Sequence, residues 1–268
     1  MKIGITGYNG FIGSSFLKRQ NVIPLSCDIT NVKSVEDSVK KSSPDIIINL
    51  AAKTDVDWCE RNPQLAMAVN LRGAYYVSDV GNKHGIPVIL ISSDYIFDGK
   101  SGPYSETSPN VFKNPVNFYG LTKLAMESWA SFDNVKIIRT STLFSENSKN
   151  IFNFFDLLAL EYPVYLPIFQ YRSFMYLEHF IDNVLWYIDR FSQMPKILHI
   201  SGNSVVSWYD FLVAIFGESS LIRKKTIDDT ELVPRPHKSG LISNFTDKFG
   251  MPSYSYLDGI SEMRDKMQ

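Results

Sequence analysis

The stretch KIGITGYNGFIG, residues 2–13, decides how the chain is read. KIGIT (2–6) is a short apolar run with the alternation of a strand. TGYNGFIG (6–13) then places three glycines at Gly7, Gly10 and Gly13, and residues 11–20 carry apolar side chains at helical spacing. A strand, a glycine turn and a helix in that order point backbone N–H groups and a helix N-terminus at one spot, where an anion such as a pyrophosphate can sit. The glycine spacing differs from the G-x-G-x-x-G fingerprint, and glycine turns also serve packing alone.

Outward from that turn the chain alternates. VIPLS (22–26) reads as a strand, 31–42 as a helix capped by Thr30 or Asn31, DIIINL (45–50) as a buried strand and 63–84 as helix. PVILI (87–91) is another strand, 116–132 another helix and VKIIR (135–139) a further strand. Apolar strands separated by helices predict a parallel sheet with right-handed crossovers, a doubly wound Rossmann-like α/β fold. Beyond Thr140 the pattern loosens. Aromatic residues crowd 150–176, a helix is expected over 177–192 and a strand over KILHI (196–200), and the remainder mixes short helices with VPRPHKSG (233–240). The expected division is a dinucleotide-binding domain over 1–144, with 177–200 returning to it, and a smaller mixed substrate-binding lobe from 145–176 and 201–268.

Composition removes several classes of function. The chain has 268 residues, 44% of them hydrophobic, and a formal charge of −1, with no basic run longer than Arg223-Lys224-Lys225. Neither nucleic acid nor an acidic membrane is an expected partner. Cys27 and Cys59 are the only cysteines, and the four histidines show no ligand spacing, so no metal site is expected. The N-terminus enters a strand at once rather than a signal sequence, and no apolar run is long enough to span a bilayer; a reducing, cytoplasmic location is the expectation.

Two further stretches carry chemistry. SSDYIFDG (92–99) follows the buried run PVILI and presents two hydroxyls, a carboxylate and a phenol. Taken alone, that could be any strand ending in polar residues. YGLTK (119–123) spaces Tyr119 and Lys123 four apart, on one face of a helix. An ammonium beside a phenol favours phenolate and makes the tyrosine a usable proton donor or acceptor.

Together, the glycine turn, NLAA (49–52) after a later strand, Ser-Ser after PVILI and Tyr-x-x-x-Lys on the next helix resemble the short-chain dehydrogenase/reductases, in particular their extended, sugar-nucleotide branch. INLAAKTDVDWCE (48–60), VN (69–70), SSDYIFDG, PYSET (103–107), YGLTK with LAMES (124–128), and IIRTS (137–141) resemble the dTDP-4-dehydrorhamnose reductase family. The resemblance is good over the first 145 residues and thin beyond. It implies an NAD(P)H-dependent oxidoreductase that reduces the 4-keto group of a nucleotide-linked 4-keto-6-deoxy sugar, in deoxysugar biosynthesis. Tyr119 would protonate the developing alkoxide, Ser93 would stabilise it, and Lys123 would hold the cofactor ribose while lowering the Tyr119 pKa. The cofactor would lie against Gly7, Asn9, Gly10, Phe11, Ile12 and Gly13, with Asp28 and Ile29 bordering the adenine and Ala51, Ala52, Lys53 and Asn70 beside it. VIPLS lacks an acid at its end, which favours NADPH over NADH, with Lys18 and Arg19 as candidate phosphate partners.

For the nucleotide-diphosphate sugar, Asp94, Tyr95 and Thr142 would line the sugar pocket, and Arg172 and Arg235 would touch the diphosphate. Serine stands at 93 where threonine is commoner in the family, and Thr142-Leu143-Phe144 stands where a tryptophan is usual. A 4,6-dehydratase would be expected to read Thr-Asp-Glu where this chain reads Ser-Asp-Tyr. The cysteine and histidine of GDP-fucose synthase would fall at Asp94 and Tyr176. Reduction is therefore favoured over dehydration or epimerisation; an epimerase or dehydratase of the same superfamily, or a non-catalytic NADP-binding regulatory subunit, are the alternatives. A homodimer is left open.

Overall fold

A computed structural model describes residues 1–148, 154, 156–226 and 233–267. The start of the aromatic-rich stretch, 150–153, lies outside the described residues. The chain divides into two compact units. The first comprises Met1–Ile96, Lys113–Arg139 and Pro195–Leu198, and the second Phe97–Phe112, Thr140–Met194 and His199–Gln268.

The first unit is built on the strands expected from their apolar, β-branched runs: β1 (Ile3–Thr6), β2 (Val22–Pro24), β3 (Ile46–Asn49), β4 (Val88–Ser93) and β5 (Val135–Thr140). The sheet order is Ile197–His199, β5, β4, β3, β1, β2, and the register of β2, β1, β3 and β4 is parallel throughout. Every residue of β1, β3, β4 and β5 is buried, as expected of strands covered on both faces. Helices α1 (Phe11–Phe16), α2 (Val32–Ser42), α3 (Val56–Arg61), α4 (Pro63–Met67), α5 (Ala74–Lys83) and α6 (Phe118–Trp129) connect the strands. Val35, Val39, Val77, Val80 and Met126 from α2, α5 and α6 share one core with Ile47, Val88, Leu90, Val135 and Ile137. Each fully buried side chain of this size stabilises the fold by about 1.5–3 kcal/mol relative to leaving it exposed.

Asn31 caps α2 by accepting from Lys33 and Ser34, as one of the two expected caps. The helix expected over 63–84 is interrupted: α4 and α5 are joined by a π-helical turn, Ala68–Gly73. The six-residue α3 was not anticipated; its Asp55 cap, which accepts from the Trp58 N–H at 2.7 Å, is the local signal for it.

The second unit holds two-stranded pairs and helices. Strand Val164–Pro167 pairs in parallel with Ile222–Lys225, and Tyr171–Arg172 pairs antiparallel with Val206–Ser207. Its core joins Phe144, Phe174, Tyr176, Phe211 and Leu212 to Ile260 and Met263 of the helix Tyr256–Met267. Of the stretch 177–200, the helix Leu177–Asp189 belongs to this unit and only Pro195–Leu198 to the first. Phe97–Phe112 joins it through backbone bonds from Gly102 to Lys238 and from Tyr104 to Gly240.

Candidate active site

The glycine turn is held by the backbone itself. Gly7 takes φ +63, the left-handed region, and a Cβ there would lie 2.6 Å from the Ala51 nitrogen. A Cβ on Gly13 would lie 2.4 Å from the Gly7 oxygen, so the turn closes on its own helix and on the segment after β3. Gly10 is different: exposed, it would place a Cβ near nothing closer than the Gly7 oxygen at 3.2 Å. A side chain there would need only a shift of a few tenths of an ångström, so packing constrains Gly10 less than Gly7 or Gly13.

Beside this turn runs a groove of about 540 Å³ lined by Gly7, Asn9, Gly10, Asp28, Ile29, Ala51, Ala52 and Lys53 of the expected cofactor residues, and also by Tyr8 and Ser26. Phe11, Ile12 and Gly13 lie in the first helical turn behind it. Thr6 ties the end of β1 to β3 and the segment after it, its hydroxyl donating to Asn49 Oδ1 at 2.6 Å and accepting from the Ala51 N–H at 3.3 Å. Lys18 and Arg19 are not among its lining residues; a neighbouring hollow of about 500 Å³, which shares Ser26 and Ser34, is lined instead by Lys33 and Lys41.

Asn70 takes a different place from the one expected. Wholly buried in the π-helical turn, its amide accepts from the Lys53 N–H at 2.7 Å and donates to the Lys53 carbonyl at 2.8 Å and to the Thr122 hydroxyl at 3.0 Å. It therefore holds the 51–53 segment to α6 from behind. Thr122, which sequence reasoning missed, passes the link on by donating to the Tyr119 carbonyl at 2.7 Å.

Ser93 and Tyr119 come together, and Lys123 lies buried further along the same helix. β4 ends at Ser93 and the chain turns at once through the 3-10 turn Asp94–Ile96. Asn117 starts α6 by accepting from the Gly120 N–H at 2.9 Å, and a Cβ on Gly120 would lie only 2.1 Å from the Tyr95 oxygen. Only glycine after the tyrosine lets the first turn of α6 press against the turn that follows Ser93. The Tyr119 ring meets Tyr95 edge-on at 5.6 Å and packs with Cys59 and Ala66, and its hydroxyl hydrogen-bonds with Ser93. The Lys123 ammonium donates to the Ile91 carbonyl at 2.8 Å.

The electrostatics correct one expectation. Burial pushes the Tyr119 phenol above its ordinary value, Ser93 opposes the rise, and the Asp94 carboxylate adds to it. Lys123 does not set that phenol; burial instead pushes its own ammonium down to about 8. The protonated phenol is thus the favoured form at neutral pH, suited to donating a proton.

The remaining candidates lie in the second unit. Thr142 is half-buried, and its carbonyl accepts from the Met175 N–H at 3.0 Å. Arg172 is buried, with Nη1 donating to the Tyr171 carbonyl at 2.8 Å and, at 3.5 Å, to that of His237. Arg235 is half-buried and donates to the Val233 carbonyl at 2.7 Å. Tyr176 is buried, its hydroxyl donating to Glu146 at 2.9 Å. Among the described residues no helix is long and apolar enough to cross a membrane.

A parallel Rossmann sheet with a glycine turn after β1, a serine at the end of β4 and Tyr-x-x-x-Lys at the start of the following helix defines a short-chain dehydrogenase/reductase of the extended type. The chain belongs to the family described as RmlD substrate binding domain, whose model matches residues 1–268. It is 32% identical to a dTDP-4-dehydrorhamnose reductase of Aggregatibacter actinomycetemcomitans over 85% of this chain and 82% of the relative. Among solved structures it is similar to a dTDP-4-dehydrorhamnose reductase of Clostridium acetobutylicum, with TM-score 0.91 and 28% identity over the full length of both chains. It is also similar to the dTDP-4-dehydrorhamnose reductase of Bacillus anthracis in complex with NADP, with TM-score 0.90 and 26% identity over 99% of this chain and all of the other.

Proposed function

We propose that this protein reduces the 4-keto group of a nucleotide-linked 4-keto-6-deoxy sugar with NADPH, as a dTDP-4-dehydrorhamnose reductase. The observation that carries this reading is the joint burial of Ser93, Tyr119 and Lys123 where β4 meets α6, with the phenol held protonated. The groove along Gly7, Asp28 and Ala51 would hold the adenosine and pyrophosphate, and Gly10 leaves room for that approach. Bound NADPH supplies the hydride that adds to the ketone carbon. Tyr119 gives its proton to the oxygen that becomes the alcohol, Ser93 hydrogen-bonds that oxygen, and Lys123 stands ready for the ribose hydroxyls. Lys33 and Lys41, in the hollow that adjoins Ser26, are the cations suited to the 2′-phosphate. The relatives named as dTDP-4-dehydrorhamnose reductases support this substrate, and Arg172 and Arg235 are proposed to meet its diphosphate.

The reading is tested by following reduced nicotinamide absorbance with 4-keto-6-deoxy sugars carrying dTDP, UDP, GDP or CDP. Net oxidation of NADPH is expected with one of them. Tyr119→Phe should lower turnover by about a hundred- to ten-thousand-fold with NADPH affinity near that of the parent. No oxidation with any ketone, or full turnover by the phenylalanine variant, overturns it.

A further inference from the structure

The buried carboxylate of Asp94 stands against the reacting hydroxyls. Asp94 is 2% exposed, and the Ser93 hydroxyl donates to its Oδ1 at 3.0 Å. The Ser93 oxygen also accepts from the Tyr95 N–H at 3.2 Å and hydrogen-bonds with Tyr119. A serine hydroxyl offers one proton and two lone pairs. In this rotamer its proton is directed to the carboxylate and a lone pair takes the Tyr95 N–H. Serine otherwise has a freer side chain than threonine, whose branched Cβ restricts χ1.

We propose that Asp94 is a positioning residue for the reduction: by accepting the Ser93 proton it fixes the serine rotamer and aligns Ser93 with Tyr119, in the arrangement from which the phenol donates. This rests on the reading that the protein is a ketoreductase. When Tyr119 transfers its proton to the substrate oxygen, an O–H bond breaks on the phenol and one forms on the alcohol, leaving a phenolate. As charge develops on the substrate oxygen, the Ser93 hydroxyl can turn from Asp94 to that oxygen. The carboxylate charge disfavours phenolate before transfer and so keeps the donor loaded. The other ionisable groups that bear on Tyr119 are Tyr95 in the same turn and Cys59 on α3; Lys123 follows on the same helix, and Glu60 accepts from the adjacent Phe118 N–H at 2.9 Å. Burial pushes the Cys59 thiol up to about 11, so that thiol adds no charge beside the phenol at neutral pH.

The experiment is the pH profile of kcat/KM for Asp94→Asn and Asp94→Glu, with NADPH affinity and thermal unfolding measured alongside. Asp94→Asn should lose at least tenfold in kcat, and its basic limb should move to lower pH because the phenol ionises more easily without the neighbouring charge. Asp94→Glu should lose rate through misplacement, with the basic limb where the parent has it. In a Ser93→Thr background, where the Cβ branch restricts the side chain, Asp94→Asn should cost several-fold less than in the parent. Should Asp94→Asn fail to fold, the glutamate variant decides: full rate overturns the proposal, and reduced rate with the parent's basic limb supports it. An Asp94→Asn protein with parental rate and profile, or equal cost in the threonine background, also overturns it. Because the parent and Tyr119→Phe are assayed first, a parent without ketoreductase turnover counts against the function itself, and an Asp94 failure beside an active parent counts against this inference alone.

Discussion

At the scale of single residues, the cost of the site is concentrated in Lys123. Its ammonium lies in a buried setting, 5% exposed, and burial lowers its pKa from 10.5 to about 8. A group whose folded pKa lies below its unfolded one destabilises the fold while both forms are charged. The penalty is therefore present in full below pH 8, fades between 8 and 10.5, and is absent above that. Lys123→Met should accordingly raise stability at pH 7 by about 1–3 kcal/mol, since it removes a buried charge at the expense of one hydrogen bond to the Ile91 carbonyl. The gain should vanish by about pH 10.5, while cofactor affinity and turnover fall. Chemical denaturation of parent and variant across pH measures it, and an unaltered or lowered stability at pH 7 would show that the ammonium is better solvated than its burial implies. That Tyr119 and Lys123 share one face of a helix was legible, because helical spacing alone fixes it. That burial, and not Lys123, sets the phenol was not legible, because burial is a property of the surroundings and leaves no mark on the five residues YGLTK.

At the scale of elements, what was legible followed from periodicity and length. β3 and β4 are runs of apolar, largely β-branched residues, and a strand buried on both faces can be little else. The break of the 63–84 helix at the π-helical turn was not legible, because it is set by the buried bonds of Asn70 to Lys53 and Thr122, 17 and 52 residues away. Gly120 is the same kind of residue, with its reason in another element. In a helix interior, Gly→Ala ordinarily stabilises by about 1 kcal/mol. At Gly120 the sign should reverse, since the new Cβ would meet the Tyr95 oxygen at 2.1 Å and the Pro115 Cβ at 2.8 Å and drive α6 off the turn after β4. Gly120→Ala is expected to destabilise by about 1–3 kcal/mol, as overpacking does. It should also cut kcat at least tenfold by moving Tyr119 from Ser93, and leave the glycine turn at Gly7 intact. A raised melting temperature with full activity would mean that the two elements can separate without loss.

At the scale of the molecule, the first unit was largely legible and the second was not. Its strands Leu143–Phe144, Tyr171–Arg172 and Met175–Tyr176 are two residues long, too short for any alternation to appear. The membership of Phe97–Phe112 depends on partners far along the chain: Tyr104 bridges Leu241, and Glu106 accepts from the His199 N–H, the Ser243 hydroxyl and the Asn244 N–H. Arg172 shows how the structure changes a prediction made from sequence. Its guanidinium is engaged with the Tyr171 and His237 carbonyls, bracing the strand Tyr171–Arg172 and the 233–240 segment, while a diphosphate contact is also proposed for it. Lysine keeps the charge but lacks the planar fork that can serve a carbonyl and a phosphate together. Arg172→Lys should therefore lower the melting temperature by a few degrees and raise the KM for the sugar nucleotide severalfold, leaving NADPH affinity alone because the groove proposed for it is built from the first unit. Calorimetry with the free nucleoside diphosphate and cofactor saturating separates the two roles. A lower melting temperature with unchanged nucleotide affinity would leave Arg172 as a brace alone, and would pass the diphosphate to Arg235, whose replacement by glutamine should then raise KM without moving the melting temperature.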